Sequence, residues 1–165
     1  MDWITRVSSP LGPLVLTGSE EALTGLWFAG QRHLPEFPAE MREAGDEPVI
    51  IRTQRWLEQY FSGEVPGNAP PLAPRGTAFQ LRVWALLGEI PYGQTRTYGE
   101  LARDLGCPSA QAVGGAVGRN PISLLLPCHR VLGAGGKLTG YAGGLWRKEA
   151  LLRLEGILPP KERES

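Results

Sequence analysis

The most informative stretch of this chain reads Ser-Leu-Leu-Leu-Pro-Cys-His-Arg-Val and occupies residues 123–131. Its three leucines, residues 124–126, form a short apolar run that predicts a buried strand. Pro127 ends that strand, because proline has no N–H to continue a hydrogen-bonded ladder. The chain then places a thiol, Cys128, directly before an imidazole, His129.

A cysteine beside a histidine indicates nucleophilic chemistry, because the histidine can take the thiol proton and produce the reactive thiolate. Adjacent residues on a strand point to opposite faces, so these two groups would communicate through a bridging water or a turn. The dipeptide alone favours another interpretation, a buried structural cysteine followed by a surface histidine, since free cysteine is among the most buried residue types. The residues around it decide between the two.

Size and composition limit the class of protein. The chain has 165 residues, of which 42% are hydrophobic, enough for one compact domain or two small ones with a real core. No apolar run approaches the length of a membrane span, and residues 1–4 lack the basic and apolar parts of a signal peptide. Cys107 and Cys128 are therefore expected to be free thiols in a reducing cytoplasm.

Charge is distributed unevenly although the net charge is +0. Residues 1–75 hold six Arg and no Lys against ten Asp or Glu, which gives −4, and residues 76–165 hold eleven Lys or Arg against seven acids, which gives +4. One explanation of this uneven charge distribution is chance. The functional alternative is a DNA-facing C-terminal half attached to an acidic partner domain.

The N-terminal half reads as a small α/β domain. Residues 3–29 alternate apolar and polar side chains between Gly and Pro turns, which predicts two or three antiparallel strands. Residues 31–47 are polar and predict a surface loop, and residues 49–61 have the apolar periodicity of a helix. Residues 62–76, with four prolines and three glycines, are typical of a linker, so we expect domains at 1–75 and 76–165.

The C-terminal half reads as mostly helical. Apolar stripes and caps predict helices at 77–87, 97–106, 110–118 and 145–155, the second with a capping box of Thr97 and Glu100. The second and third form a candidate helix-turn-helix. The third is almost without bulk, which fits either tight packing on the core or close approach of a DNA backbone. The glycine-rich residues 132–144 predict a hairpin and loop.

Short motifs follow one another through this half, at residues 79–84, 98–102, 120–122, 126–131, 140–144, 147–149 and 154–156. In this order and spacing they resemble the O6-alkylguanine-DNA alkyltransferases, repair proteins that take an alkyl group from damaged guanine. The resemblance covers nearly all of the chain from about residue 76 onward. It implies an RNase H-like α/β N-terminal domain joined to a mostly α C-terminal domain that carries the helix-turn-helix and the active-site cysteine.

The resemblance also implies roles for individual residues. Cys128 would be the alkyl acceptor, His129 its base and Glu155 the carboxylate that orients His129. Asn120 would tie together the loops behind the cysteine, and Tyr98 would hydrogen-bond the flipped guanine and donate a proton to it. The residues implied to contact substrate or DNA are Gln111, Ala112, Gly115, Arg119, Arg130, Tyr141, Ala142, Gly143 and Lys148.

The implied activity is a direct reversal of damage. After nucleotide flipping, Cys128 would take the alkyl group of O6-alkylguanine once and irreversibly, as a methylated-DNA–protein-cysteine methyltransferase. O4-alkylthymine is left open as a second lesion. The implied partner is double-stranded DNA, approached from the minor groove by a monomer, with no cofactor. The N-terminal half has no cysteine and a single histidine, His33, so no metal site is expected.

One residue departs from the family pattern. Relatives usually carry an arginine near the start of the recognition helix that fills the space of the flipped base, and this chain has Gln111 there. Three rival functions remain open beside alkyl transfer. They are a non-catalytic binder of alkylated bases, whose known representatives lack the cysteine, a cysteine hydrolase built on Cys128, His129 and Glu155, and a regulatory domain.

Overall fold

A computed structural model describes residues 2–159 of the chain. The N-terminal part is a four-stranded sheet of β1 (Trp3–Val7), β2 (Leu14–Gly18), β3 (Leu23–Phe28) and β4 (Arg42–Glu43), in the order β3-β2-β1-β4. The first three strands are antiparallel neighbours, as predicted. The two-residue β4 pairs parallel with β1 and was not predicted, because it lies in a polar segment expected to be loop. The sheet is therefore mixed.

Helix α1 (Pro48–Phe61) covers this sheet and confirms the predicted helix at 49–61. Its apolar side is buried, with Trp56, Leu57 and Tyr60 in the core. The proline-rich segment after it is tied to the sheet, because the Leu23 amide donates to the Pro71 carbonyl and the Ala73 amide donates to the Leu23 carbonyl, each at 2.9 Å. The predicted linker therefore runs along the open edge of β3.

The C-terminal part contains α2 (Ala78–Gly88), α3 (Tyr98–Leu105), α4 (Ala110–Gly118) and α5 (Leu145–Leu154), which match the four predicted helices closely. Local signals explain the match. Thr97 and Glu100 form the predicted capping box at the start of α3, and Gly106 ends that helix in the left-handed conformation with φ 64°. The Ser109 hydroxyl then caps α4 by accepting from the Ala112 amide at 3.0 Å.

The predicted strand at residues 124–126 is wrong. These leucines form turns, with Leu124 at φ 73°, and residues Cys128–Arg130 follow as one turn of 3₁₀ helix. Two backbone hydrogen bonds dock the loop on β3, since the Leu26 amide donates to the Pro121 carbonyl at 2.8 Å and the Ser123 amide donates to the Leu26 carbonyl at 2.9 Å. The leucines are apolar because they fill the core between the two halves of the chain.

The predicted hairpin at residues 132–144 is also wrong. β6 (Val131–Leu132) pairs with the distant β5 (Arg96–Thr97) in a parallel two-stranded sheet. The glycines after it form a tight turn, in which the Gly133 amide donates to the Lys137 carbonyl at 2.8 Å. The remaining residues lead as an irregular loop into α5.

One hydrophobic cluster runs through both halves, from Trp3 and Phe28 in the sheet to Val113 in α4 and Leu151 in α5. The predicted division into domains at 1–75 and 76–165 therefore stays a prediction. Within residues 2–159, every helix is too short or too polar to cross a bilayer.

Candidate active site

Cys128 lies at the bottom of a cleft of about 1190 Å³. One wall consists of the start of α3 and the exposed side of α4, and the other consists of the loop at residues 139–142. Arg32 and His33 from the N-terminal half stand at the rim. The Cys128 residue is 6% exposed, so a substrate atom reaches its sulfur only by entering the cleft.

His129 follows Cys128 in the 3₁₀ turn and is completely buried. Its Nε2 lies 2.6 Å from the Glu155 carboxylate oxygen Oε2. Its Nδ1 is buried and has no hydrogen-bond partner among residues 2–159. Because a carboxylate accepts only, Nε2 carries the proton and Nδ1 is left as the basic nitrogen. The geometry brings together the predicted histidine and glutamate.

Glu155 caps the C-terminal end of α5, a position where the helix dipole disfavours a negative charge. Four donors offset this. Oε2 accepts from His129 and from the Tyr60 hydroxyl, both at 2.6 Å, and Oε1 accepts from Arg130 Nε at 2.8 Å and from the Gly93 amide at 3.0 Å. Burial alone would raise the pKa of Glu155, but the hydrogen bonds from His129, Arg130 and the Gly93 amide lower it to about 2.

The sequence did not indicate Tyr60 or Gly93. Both lie far from Glu155 along the chain, at separations of 95 and 62 residues. Tyr60 lies on the apolar side of α1, where the helical periodicity indicates only core packing. The one available signal was chemical, since a fully buried tyrosine hydroxyl needs a hydrogen-bond partner.

Cys128 is a thiol at rest. Burial raises its pKa above the usual value, and contacts with Asn120 and the positive charge of Lys148 oppose that rise only in part. Burial also lowers the pKa of His129, which keeps the imidazole neutral and able to accept a proton. The site therefore holds a protonated nucleophile beside a neutral base, and ionisation of the thiol accompanies the reaction.

Asn120 and Lys148 support the cysteine from behind. Asn120 Nδ2 donates to the Leu126 carbonyl at 2.7 Å, and its Oδ1 accepts from the Ile122 amide at 3.0 Å, so one side chain holds both ends of the turn before Cys128. Lys148 is fully buried, and its Nζ donates to the Val131 carbonyl at 2.6 Å and the Thr139 carbonyl at 3.2 Å. Burial lowers the pKa of Lys148 to about 8.

Tyr98, Tyr141 and Ala142 line the cleft, as the predicted roles require. Burial raises the pKa of Tyr98 and raises that of Tyr141 further, so both phenols stay protonated and can donate hydrogen bonds. Gly143 is buried behind them, where an added Cβ would lie 2.7 Å from the Tyr141 ring. Glycine is therefore required at residue 143 for the loop to close.

The N-terminal half holds that loop in place. The Arg32 amide donates to the Ala142 carbonyl at 3.0 Å. Arg147 donates to the Gly143 carbonyl at 2.8 Å and to the Leu11 carbonyl at 2.9 Å, with its guanidinium 4.6 Å from the Phe28 ring centre. Sequence analysis did not predict these contacts, because they join segments that are distant in the chain.

Helix α4 turns its least bulky side to the cleft. Gln111, Gly115 and Arg119 line it, and Ala112 is exposed beside them. A Cβ added at Gly115 meets no atom within 4 Å, and one added at Gly114 lies 3.7 Å from the Tyr98 ring. Tight packing against the core therefore does not explain Gly115, which favours the alternative of close approach by a ligand.

The structure corrects the prediction for Arg130. Its guanidinium is buried, with Nε on Glu155 and Nη1 donating to the Ile90 carbonyl at 2.7 Å. The side chain points away from the cleft because the 3₁₀ turn directs it toward α5. We therefore no longer place Arg130 among the residues that contact DNA, and we assign it to the support of the Glu155 carboxylate.

The site combines a buried cysteine, a histidine held by a glutamate, and a helix-turn-helix that forms one wall of the cleft. This combination is typical of a DNA-binding protein that uses a cysteine in its chemistry. Two family models match the chain. Residues 78–157 match the 6-O-methylguanine DNA methyltransferase DNA-binding domain, and residues 4–68 match the ribonuclease-like domain of the same family. The chain belongs to the 6-O-methylguanine DNA methyltransferase family, which confirms the family and the fold class predicted from the sequence.

Curated relatives agree. A methylated-DNA–protein-cysteine methyltransferase of Methanosarcina acetivorans is 52% identical over 149 residues, covering 90% of this chain and 94% of the relative. A protein of the same name from Mycobacterium tuberculosis is 46% identical over 157 residues, covering 94% of this chain and 93% of the relative.

Solved structures agree as well. The crystal structure of the Mycobacterium tuberculosis O6-methylguanine methyltransferase superposes with a TM-score of 0.83 at 44% identity, covering 98% of this chain and 97% of that one. A structure of the Mycobacterium tuberculosis protein in complex with DNA gives a TM-score of 0.82 at 44% identity and covers 94% of each chain.

Proposed function

We propose that this protein is a methylated-DNA–protein-cysteine methyltransferase that repairs O6-alkylguanine in double-stranded DNA by moving the alkyl group onto Cys128. The observation that carries this proposal is the position of Cys128, at the bottom of a cleft walled by α4 and backed by the His129–Glu155 pair. The names of the relatives and the DNA complex of a similar structure support it.

The reaction balances without a cofactor. The Cys128 sulfur forms a bond to the alkyl carbon, and the bond between that carbon and guanine O6 breaks. The thiol proton passes toward His129 Nδ1, directly or through a water, and the departing guanine takes a proton for which Tyr98 is the proposed donor. The imidazolium then releases its proton and Tyr98 regains one through solvent, so both side chains end in their starting protonation states. The products are a thioether and an unmodified guanine. Because a thioether does not revert, each molecule acts once.

The shape of the site supports flipping of the damaged nucleotide. A reacting carbon inside a base stack cannot reach a buried sulfur, so the nucleotide must leave the duplex and enter the cleft. The open side of α4 faces the same cleft, which supports a duplex lying against Gly115 with Gln111 and Arg119 at either end of the contact. We propose a minor-groove approach by a monomer, and the two free cysteines support a reducing cytoplasmic location.

The test is a stoichiometric transfer assay. The protein is mixed with a duplex oligonucleotide that contains one O6-methylguanine, and intact-protein and peptide mass spectrometry follow. We expect one methyl group per molecule, on the peptide that contains Cys128, and none in Cys128→Ala.

Cys107→Ser is the matched control. Cys107 is half-buried, with its thiol 3.5 Å from the Ser109 carbonyl, and lies at the helix-turn-helix outside the cleft, so this variant should transfer normally. A methyl group found on Cys107 would show that Cys107, and not Cys128, is the alkyl acceptor. More than one product per protein molecule would indicate a hydrolase, and tight binding of the lesion without transfer would indicate a non-catalytic binder.

A further inference from the structure

Tyr60 connects the N-terminal half to the catalytic pair. It lies near the end of α1, and its hydroxyl donates to Glu155 Oε2 at 2.6 Å. The same hydroxyl oxygen is 3.3 Å from His129 Nε2. Tyr60 and His129 therefore donate to one carboxylate oxygen from two sides.

The surroundings fix the tyrosine ring. Tyr60 is fully buried, stacks on Trp56 at 5.3 Å between ring centres with an interplanar angle of 6°, and meets Tyr92 edge to face at 6.2 Å. A ring held on two sides cannot turn its hydroxyl away from Glu155. Because burial and the nearby carboxylate raise the pKa of Tyr60 far above its usual value, the hydroxyl keeps its proton and stays a donor.

We propose that Tyr60 is a positioning residue for alkyl transfer, which locks the Glu155 carboxylate in place and limits the negative charge that Glu155 presents to His129. This inference rests on the proposed function. The carboxylate has two requirements that conflict, because it must hold the Nε2 proton of His129 and yet must not make Nδ1 so basic that it takes a proton from solvent before the thiol gives up its own. A second donor on the same oxygen weakens its pull on the imidazole without removing the hydrogen bond.

Other charged and titratable groups also face the pair. They come from the 3₁₀ turn, the segment after α2, the 139–143 loop and α5, and they are Cys128, Arg130, Tyr92, Tyr141 and Lys148. Arg130 and Lys148 also disfavour a charged His129. None of these groups is altered when only the Tyr60 hydroxyl is removed, so their influence is the same in the two proteins to be compared.

The informative variant is Tyr60→Phe, which keeps the stacked ring and deletes the hydroxyl. With one donor fewer on Oε2, His129 becomes more basic and is protonated at a higher pH. The acid limb of the pH profile for alkylation by free O6-benzylguanine should then move up by roughly half to one pH unit. Above that limb the rate should fall by roughly fivefold, because the carboxylate is held less firmly.

Thr53→Val is the matched control. Thr53 lies in the same helix, is fully buried, and its hydroxyl donates only within the helix, to the Val49 carbonyl at 2.7 Å. This variant also removes a buried hydroxyl from α1 but touches no part of the pair. It should keep the pH profile of the unaltered protein, whereas a Tyr60→Phe profile identical to that of Thr53→Val would overturn the proposal.

A second measurement does not depend on activity. The chain has two histidines, His33 and His129, so the imidazole N–H signals are simple to assign by NMR. The His129 Nε2–H signal should shift in Tyr60→Phe and stay in place in Thr53→Val, with exposed His33 as the internal reference. If the unaltered protein transfers no alkyl group, the proposed function fails while this arm still tests Tyr60.

If Tyr60→Phe does not fold, a measurement on the unaltered protein tests the proposal instead. A hydroxyl proton held between Tyr60 and a buried carboxylate exchanges slowly with water and gives its own downfield signal. Its absence from spectra of the native protein would overturn the proposal.

Discussion

The two sides of the cleft are built in opposite ways. Behind Cys128, every oxygen position of the Glu155 carboxylate is occupied by a donor, and His129, Lys148 and Tyr60 are fully buried. Across the cleft, the exposed side of α4 carries Gln111 and Arg119 on a glycine surface. The first side is closed before substrate arrives, and the second is open.

The difference follows from what each side must do. Moving a proton from a buried thiol requires groups whose positions and charges are already set, because reorganisation during the reaction raises the barrier. Accepting a duplex requires a surface that the backbone can approach without displacing protein atoms. Variants of the closed side should therefore change the chemistry, and variants of the open side should change DNA binding while leaving the reaction at Cys128 intact.

The largest effects are expected when the catalytic pair is broken. His129→Ala removes the base and should slow transfer by roughly 10²-fold or more, measured with free O6-benzylguanine. Glu155→Gln should slow it less, because the imidazole remains but loses its anchor. An alkylation rate that is unchanged across pH in either variant would remove that residue from the reaction.

Acid should also destabilise the closed side. The Glu155 pKa lies at about 2 in the folded protein against an ordinary 4.5, so its contribution to stability is complete above about pH 4.5 and is lost as the pH falls toward 2. The pKa of His129 is lowered by burial, so protonation of the unfolded chain adds a loss of the same sign below its ordinary value of 6.5. The difference of about 2.5 pKa units corresponds to about 3 kcal/mol of the free energy of unfolding.

Denaturant unfolding between pH 5 and pH 2.5 measures this loss. Glu155→Gln should show a flatter dependence of unfolding free energy on pH, apart from its lower starting value. Glu149→Gln is the control on the same helix, because Glu149 forms only a long ion pair with Arg153 at 3.6 Å. Equal slopes for Glu155→Gln and the unaltered protein would show that Glu155 is not the group that titrates.

The sequence predicted the open side better than the closed side. The bounds of α3 and α4 depend on caps and a left-handed glycine within a few residues, at Thr97, Gly106 and Ser109, so local signals were sufficient. The turn at residues 121–127 depends on hydrogen bonds with β3 and with the Asn120 side chain. An apolar run of three leucines looks the same whether it forms a strand or fills a core, which explains the wrong strand.

On the closed side, the sequence predicted the reactive residues but not the residues that hold them in place. Cys128, His129 and Glu155 could be named from motifs, because their residue types and order are distinctive. Tyr60 and Gly93 could not, since Tyr60 reaches Glu155 only when the two halves pack together, and the Gly93 amide reaches it only when the segment after α2 packs against the end of α5. The burial of Arg130 against Glu155 was missed because the direction of that side chain depends on a 3₁₀ turn that no local pattern indicated.

A smaller effect is expected on the open side at Gly115. Nothing in the protein occupies the space beside it, and glycine in a helix costs roughly 1 kcal/mol relative to better helix formers. Gly115→Leu should therefore raise the free energy of unfolding by up to about 1 kcal/mol while it weakens duplex binding by roughly tenfold. Gly88→Ala, at the end of α2 and outside the cleft, should change stability without changing binding. Unchanged binding in Gly115→Leu would place the duplex elsewhere.

The smallest effect is expected at Gln111, a neutral side chain at the position where the sequence resemblance implies an arginine. Gln111 is exposed in the first turn of α4 and lines the cleft, well placed to fill the gap that a flipped base leaves. Gln111→Arg should tighten duplex binding and steepen its salt dependence by about one unit at most, because one more cation displaces about one counterion.

Gln111→Ala should slow repair of duplex DNA by a few-fold and leave alkylation by free O6-benzylguanine almost unchanged, since a free base needs no flipping. Salt titrations of binding, with parallel rates on the two substrates, measure both effects. Equal losses on duplex and free base would show that Gln111 supports the pocket instead, and the exposed Arg119 at the other end of the helix would then be the residue to test for entry into the base stack.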